Sequence, residues 1–136
     1  MLRLARERPS LSIVGDQTGC PTWARNLADV TRKVIEQFAS DGSDSGAQGI
    51  YHYCDGESVS WFQFARSIFS AAKRAHLLQK MPEMKQVLSS EFPQKAERPL
   101  YSVLDTSKIR EALGIEPAGL KCSLQTCLDE MGENEQ

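Results

Sequence analysis

Most signatures of a self-contained enzyme are missing from this sequence. It has no G-x-G-x-x-G or comparable Gly-rich turn between a strand and a helix, so nothing in it reads as a dinucleotide phosphate cradle. No Tyr is followed by Lys four residues on, since Tyr51, Tyr53 and Tyr101 are followed at that spacing by Asp55, Glu57 and Asp105. A G-x-S-x-G nucleophile elbow is also missing. The four cysteines, Cys20, Cys54, Cys122 and Cys127, form no C-x-x-C pair, which speaks against a zinc site and leaves no metal expected. Cys122 and Cys127 are five apart, on different faces of any helix that carries both. No apolar run approaches the ~20 residues that cross a bilayer, and the first residues lack a signal-peptide core. Free thiols and a cytoplasmic location are the resulting expectation. A net charge of -2 without a dense Lys/Arg block argues against nucleic acid or an anionic membrane as a partner.

What is present suits one soluble domain. The 136 residues are 40% hydrophobic and 25% charged, enough to bury a core. Leu2, Leu4 and Ala5 sit in a helical stub that ends near Glu7 and has no N-cap. Leu11 to Val14 reads as a short strand. Thr22 can cap a helix to about Phe38, with Leu27, Val30, Val34 and Phe38 on one face. Ser40 to Gln48 reads as a solvated loop. Gly49 to Cys54 is the best strand candidate, closed by the turn pair Asp55-Gly56.

Ser60 and Gln63 match a capping box. The helix they open carries Phe64, Ala65, Ile68, Phe69 and Ala72 as a core stripe. From His76 to Pro99 the pattern breaks down, and only Gln86-Val87-Leu88 suggests a strand. So long an irregular stretch in a compact domain usually serves a site or a partner. Asp105 reads as an N-cap with Leu104 and Ile109 as a hydrophobic staple, and Gly114 as the C-cap. A last helix aligns Leu120, Leu124, Cys127, Leu128 and Met131. The expected class is α/β, a small sheet with several helices.

The stretch G-D-Q-T-G-C-P-T-W, Gly15 to Trp23, follows the first strand and has the polar density of a binding loop. Asp16 and Gln17 stand where α/β folds present ligand contacts, although Asp16 could equally bond backbone N–H groups to shape the turn. Thr22 serves as a cap and could also touch ligand. His52 and Cys54 alternate onto one face, but two groups so spaced on one strand rarely approach as a catalytic pair requires, so a packed His is the expected reading. Arg98 offers a fork suited to phosphate oxygens, the alternative being an ion pair with Glu97 or Glu91.

Four segments appear in an order that resembles one family. They are "MLRLARERPSLSIVGDQTGCPTWARNLADVT", "GIYHYCDGESVSWFQFARSIF", "EFPQKAERPLYSVLDTSKIREALGI" and "SLQTCL". They resemble the C-terminal half of dTDP-4-dehydrorhamnose reductases, extended short-chain dehydrogenase/reductases, with D-Q-x-G-x-P-T and R-P-x-x-S-x-L-D as the more specific motifs. The resemblance implies residues 1–136 as a single C-terminal, substrate-binding portion of a Rossmann-type enzyme, with Met1 falling inside a family helix and the dinucleotide-binding half absent. The complete enzyme would reduce dTDP-4-dehydro-L-rhamnose with NADPH or NADH, using a Tyr and Lys from its first half. This chain alone is expected to bind no cofactor and to be inactive.

The resemblance places Asp16, Gln17 and Thr22 beside the sugar-nucleotide cleft and Arg98 in the R-P motif. It implies a dTDP-sugar as ligand, with the missing half or a full-length reductase as partner. Some members bridge a dimer through Mg²⁺ with a Glu where this sequence has Arg25, and a cation cannot ligate a cation. Two other readings stand beside this one. One is a non-catalytic module docking on a full-length sugar-nucleotide enzyme. The other is an independent enzyme using Asp16, His52 or Cys54.

Overall fold

A computed structural model describes residues 1–41, 49–93 and 96–134. Five helices are present among them: α1 (Leu2–Glu7), α2 (Ala24–Asp41), α3 (Trp61–Arg74), α4 (Ser107–Leu113) and α5 (Leu120–Asn134). The five strands are β1 (Ser10–Val14), β2 (Thr18–Gly19), β3 (Val59–Ser60), β4 (Glu83–Val87) and β5 (Tyr101–Ser102), with a 3-10 turn at Ser89–Glu91. The class is α/β as expected, but the strands form two small sheets rather than one. β1 pairs with β4 in parallel, Ser10 opposite Glu83 and Val14 opposite Val87. β2 lies between β3, antiparallel, and β5, parallel.

β1 buries Leu11, Ile13 and Val14 and exposes Ser10 and Ser12, an alternation its sequence carries. β4 begins three residues earlier than the apolar triplet Gln86-Val87-Leu88 suggests. Glu83, Met84 and Lys85 have little strand preference, and pairing with β1 overrides it.

Gly49 to Cys54 does not form the expected strand. Both edges of β2 are taken by β3 and β5, and residues 50–54 join no ladder. Side chains fix the segment instead. The Lys108 ammonium donates to the Ile50 carbonyl (3.0 Å) and lies 4.5 Å over the Tyr51 ring. Tyr51 and Tyr53 keep the two-residue alternation and pack against Val30, Ile109, Leu113 and Ile115.

α3 follows its sequence closely. The Ser60 hydroxyl accepts from the Gln63 N–H (3.1 Å), and the Gln63 side chain accepts from the Ser60 N–H (2.8 Å). Ala65, Ile68, Phe69 and Ala72 are buried against Leu11, Ile13, Leu78 and Leu128, with Phe64 at the margin. This first cluster joins α1, β1, α3 and α5, while a second forms where α2 meets α4.

Helix boundaries differ from the sequence reading at α4 and α2. α4 opens at Ser107, and the Asp105 carboxylate accepts from the Ser107 N–H (2.9 Å) and hydroxyl (2.6 Å). Leu104 stays exposed, so the expected staple with Ile109 does not close. Gly114 ends α4 in the left-handed region (φ 61°), which a glycine adopts without strain. α2 runs three residues beyond Phe38; Leu27 lies exposed on it while Val30 is buried. Of the expected 40–48 loop, 42–48 fall outside the described residues. No helix among the described residues is long and apolar enough to cross a membrane.

Candidate functional site

The ends of β1 and β4 lie side by side, and the chain leaving each supplies the polar groups. Gly15 N–H donates to the Val87 carbonyl (3.0 Å), extending the ladder by one bond. The Gln86 side chain lies over Gly15, where a Cβ would meet it. The next residue, Asp16, reaches across to the 3-10 turn. Its carboxylate accepts from the Ser89 N–H (3.0 Å) and the Ser89 hydroxyl (2.7 Å). Gln17 is buried, and its amide donates to the same hydroxyl (2.9 Å) while its carbonyl accepts from Trp61 N–H.

Asp16 thus accepts from a backbone N–H outside its own turn. It ties together two loops 73 positions apart (Asp16 to Ser89). The Ser89 N–H, followed by its hydroxyl, holds the Asp16 carboxyl below its usual range. A depressed folded-state value gives stability that is fully present above the unfolded value near 3.8 and is lost as pH falls through the folded one. Asp16→Asn removes this dependence. The stability gap between wild type and D16N, read from urea midpoints, is expected to be constant near neutrality and to shrink below about pH 3.8. An unchanged gap at pH 3 would contradict the assignment.

A groove of about 500 Å³ opens beside this junction, bordered by Asp16, Gln17, Ser89, Phe92, Arg98 and Leu100. It adjoins a more apolar groove of about 650 Å³ that shares Gln17, Phe92 and Arg98 and continues past Leu11, Ile13 and Trp61. Arg98 is exposed at the rim of both. Neither Glu91 nor Glu97 forms an ion pair with it among the described residues; the Glu91 carboxylate accepts from Leu88 N–H instead.

Three of the four sequence-selected residues thus meet at one groove. Thr22 does not border it. Its hydroxyl donates to the Cys20 carbonyl (3.1 Å) and accepts from Asp55 N–H (3.3 Å). Nor does Thr22 cap α2. The helix begins at Ala24, and the preceding N–H, of Trp23, donates to the Asp55 carboxylate (3.0 Å).

Asp55 is fully buried and also accepts from the Asn26 amide (3.1 Å) and the Tyr53 hydroxyl (3.1 Å). Sequence reasoning sees Asp55 only as half of a turn pair, because two of its partners, Trp23 and Asn26, lie 32 and 29 positions upstream. Ser89 escapes it for the same reason. His52 is exposed rather than packed as expected, and Cys54 is buried, so the two do not form a pair. Arg25 pairs with Glu130 and lies 4.9 Å over the Trp23 ring, so its guanidinium is engaged within the chain.

A dinucleotide does not fit the turn after β1. Such phosphates need a glycine-rich turn running straight into a helix N-terminus. Here Gly15, Asp16 and Gln17 lead into β2 rather than into a helix. What the arrangement can do is hold an anion or a polar ring between a fixed polar junction, an aromatic edge at Phe92 and the Arg98 fork.

Residues 1–133 match the model of the RmlD substrate binding domain. The chain is 35% identical over 125 residues to a dTDP-4-dehydrorhamnose reductase of Aggregatibacter actinomycetemcomitans, covering 92% of this chain and 42% of that protein. Among solved structures, a dTDP-4-dehydrorhamnose reductase of Clostridium acetobutylicum superposes with a TM-score of 0.81 at 28% identity, covering 96% of this chain and 41% of that one. The Bacillus anthracis reductase, solved in complex with NADP, superposes with a TM-score of 0.76 at 29% identity, covering 99% and 41%. The chain spans about two fifths of the length of these relatives. With the family model matched along nearly its whole length, the chain belongs to the RmlD substrate binding domain family.

Proposed function

We propose that this chain is the substrate-binding portion of a dTDP-4-dehydrorhamnose reductase and that its ligand is a dTDP-sugar. The observation that carries the reading is the meeting of Asp16, Gln17 and Arg98 at one groove beside the ends of two parallel strands. Crevices at such strand ends are where α/β folds take ligands. Asp16 and Gln17 are already bonded to Ser89, so they shape the groove wall, and Arg98 is the group that meets the diphosphate. Thr22 acts one step back, holding the turn at the head of α2.

Reduction of the 4-keto group requires NADPH or NADH and a proton donor. In this proposal both belong to a nucleotide-binding portion outside residues 1–136, and this chain alone is inactive. The β1–β4 pair supports that division. Parallel sheets are ordinarily covered on both faces. Here two parallel strands stand without a third among the described residues, beside an apolar groove lined by Leu4, Leu11, Ile13, Trp61 and Phe64. The same face suits a second reading, a non-catalytic module docking on a full-length sugar-nucleotide enzyme.

An amide ¹H–¹⁵N correlation spectrum with and without dTDP tests the binding. Shifts are expected around Asp16, Ser89 and Arg98, and Arg98→Gln is expected to weaken dTDP by at least ~10-fold, the value of a charge-assisted bond. A spectrum unmoved by millimolar dTDP would overturn the assignment. Mixing the chain with a nucleotide-binding portion of a relative separates the two readings. NADPH oxidation that appears only in the mixture supports the reductase portion; association without turnover supports the docking module.

A further inference from the structure

α2 carries more apolar surface than its packing uses. Val30 is buried in the cluster shared with α4, and Val34 packs at its margin, but a second stripe faces away. Ala24, Leu27, Ala28, Thr31 and Ile35 recur at three- and four-residue steps, which puts them on one side of the helix. All five are exposed, Leu27 by 48% and Ile35 by 63%. A groove of about 650 Å³ runs along them and shares no residue with the grooves at the strand ends. The charges beside the stripe show what fits it. Arg25, Asp29, Arg32 and Glu36 form an exposed row along one edge. Arg32 is held by Glu36 (2.7 Å), which fixes its guanidinium at the border of the groove. The row reads plus, minus, plus, minus, and reversed it reads minus, plus, minus, plus. It is therefore complementary to itself when two copies lie antiparallel.

We infer that the outer face of α2 is a self-association surface, through which two copies of this chain pair as an antiparallel, two-fold dimer. A two-fold axis beside Thr31 sets Leu27 opposite Ile35 of the second copy, because each stands four positions from Thr31. The same axis brings like edges of the two helices together. Asp29 then lies level with Arg32 of the second copy, twice in the pair, and Glu36 level with Arg25. Ala24, Ala28 and Thr31 let the helices approach closely, Leu27 and Ile35 supply the apolar contact, and the Asp29–Arg32 pairs fix the direction. Both copies use one patch, so the assembly closes at two. A single helix pair covers less than the ~1,200 Å² of a stable interface, so this dimer dissociates readily, with a Kd on the order of 100 µM.

Sedimentation equilibrium of the intact chain, from about 10 µM to about 1 mM, tests the pairing. The wild type is expected to move from the chain mass toward twice that mass across the range, with no larger species. Ile35→Lys changes an exposed position and should stay at the chain mass throughout, its far-UV helix signal unchanged. Asp29→Arg alone sets like charges against each other and should weaken the dimer at least ~10-fold. Asp29→Arg combined with Arg32→Glu exchanges the two signs and should restore it. A wild type still at the chain mass at the highest concentration would overturn the inference. So would an I35K chain that dimerises like wild type, or a sign exchange that fails to recover what Asp29→Arg loses.

Discussion

Replacing Asp55 with Ala is expected to cost about 3–5 kcal/mol of folding stability, measured as the change in urea unfolding free energy at neutral pH. The carboxylate is fully buried and accepts from Trp23 N–H, the Asn26 amide and the Tyr53 hydroxyl. Asn26 also donates to the Ser123 hydroxyl (2.7 Å), and Tyr53 accepts from Ala118 N–H (3.3 Å), so one side chain connects the head of α2 to the start of α5. Truncation strands these donors in a site from which water is largely excluded, and each buried donor left without a partner costs roughly 1–3 kcal/mol. Asp55→Asn keeps one acceptor oxygen and should lose about half as much. A loss below about 1 kcal/mol in D55A would mean that water replaces the carboxylate freely and that the network is not what orients α2.

Phe69→Ala carries the second large effect, about 3–5 kcal/mol from lost transfer free energy and the cavity left behind. Phe69 is 0% exposed and lies in the cluster with Leu11, Ile13 and Leu128, where β1, α3 and α5 meet. Domains of this kind hold only about 5–15 kcal/mol in total. F69A should therefore unfold at a much lower urea midpoint, with its slope unchanged if the native state stays compact. Phe69→Leu fills most of the volume and should recover more than half of the loss. An F69A midpoint within error of wild type would place the α3 packing outside the cooperative core.

These two sites also mark where the sequence could and could not be read. Phe69 belongs to a period visible on paper, because helix geometry repeats within a few residues, and the Ser60–Gln63 box is equally local. Asp55, Ser89 and the first residues of β4 act through partners 29 to 73 positions away (Asn26 to Asp55, Asp16 to Ser89), and no local pattern encodes such pairings. Gly49 to Cys54 failed as a strand for a related reason. Its composition suits a strand, but its partners are side chains far along the chain, Lys108 and the cluster between α2 and α4, and it joins no ladder.

The candidate site divides in the same way. Asp16, Gln17 and Arg98 stood out by residue type and position, and the groove brings them together. Thr22, expected as a helix cap and, from the D-Q-x-G-x-P-T resemblance, beside the cleft, instead bonds the Cys20 carbonyl and the Asp55 N–H.

The parallel pairing of β1 with β4 has a consequence for how the chain assembles. Ser10 meets Glu83, so the first bond between the two strands closes a loop that contains all of α2 and α3. Closing so long a loop is entropically costly and is rewarded only after the intervening segments have become compact. α3, with its local capping box and its own apolar stripe, can form early, whereas the β1–β4 ladder closes near the end. The Asp16–Ser89 bonds lie at the tip of that ladder, so the groove they shape is expected to form late in folding.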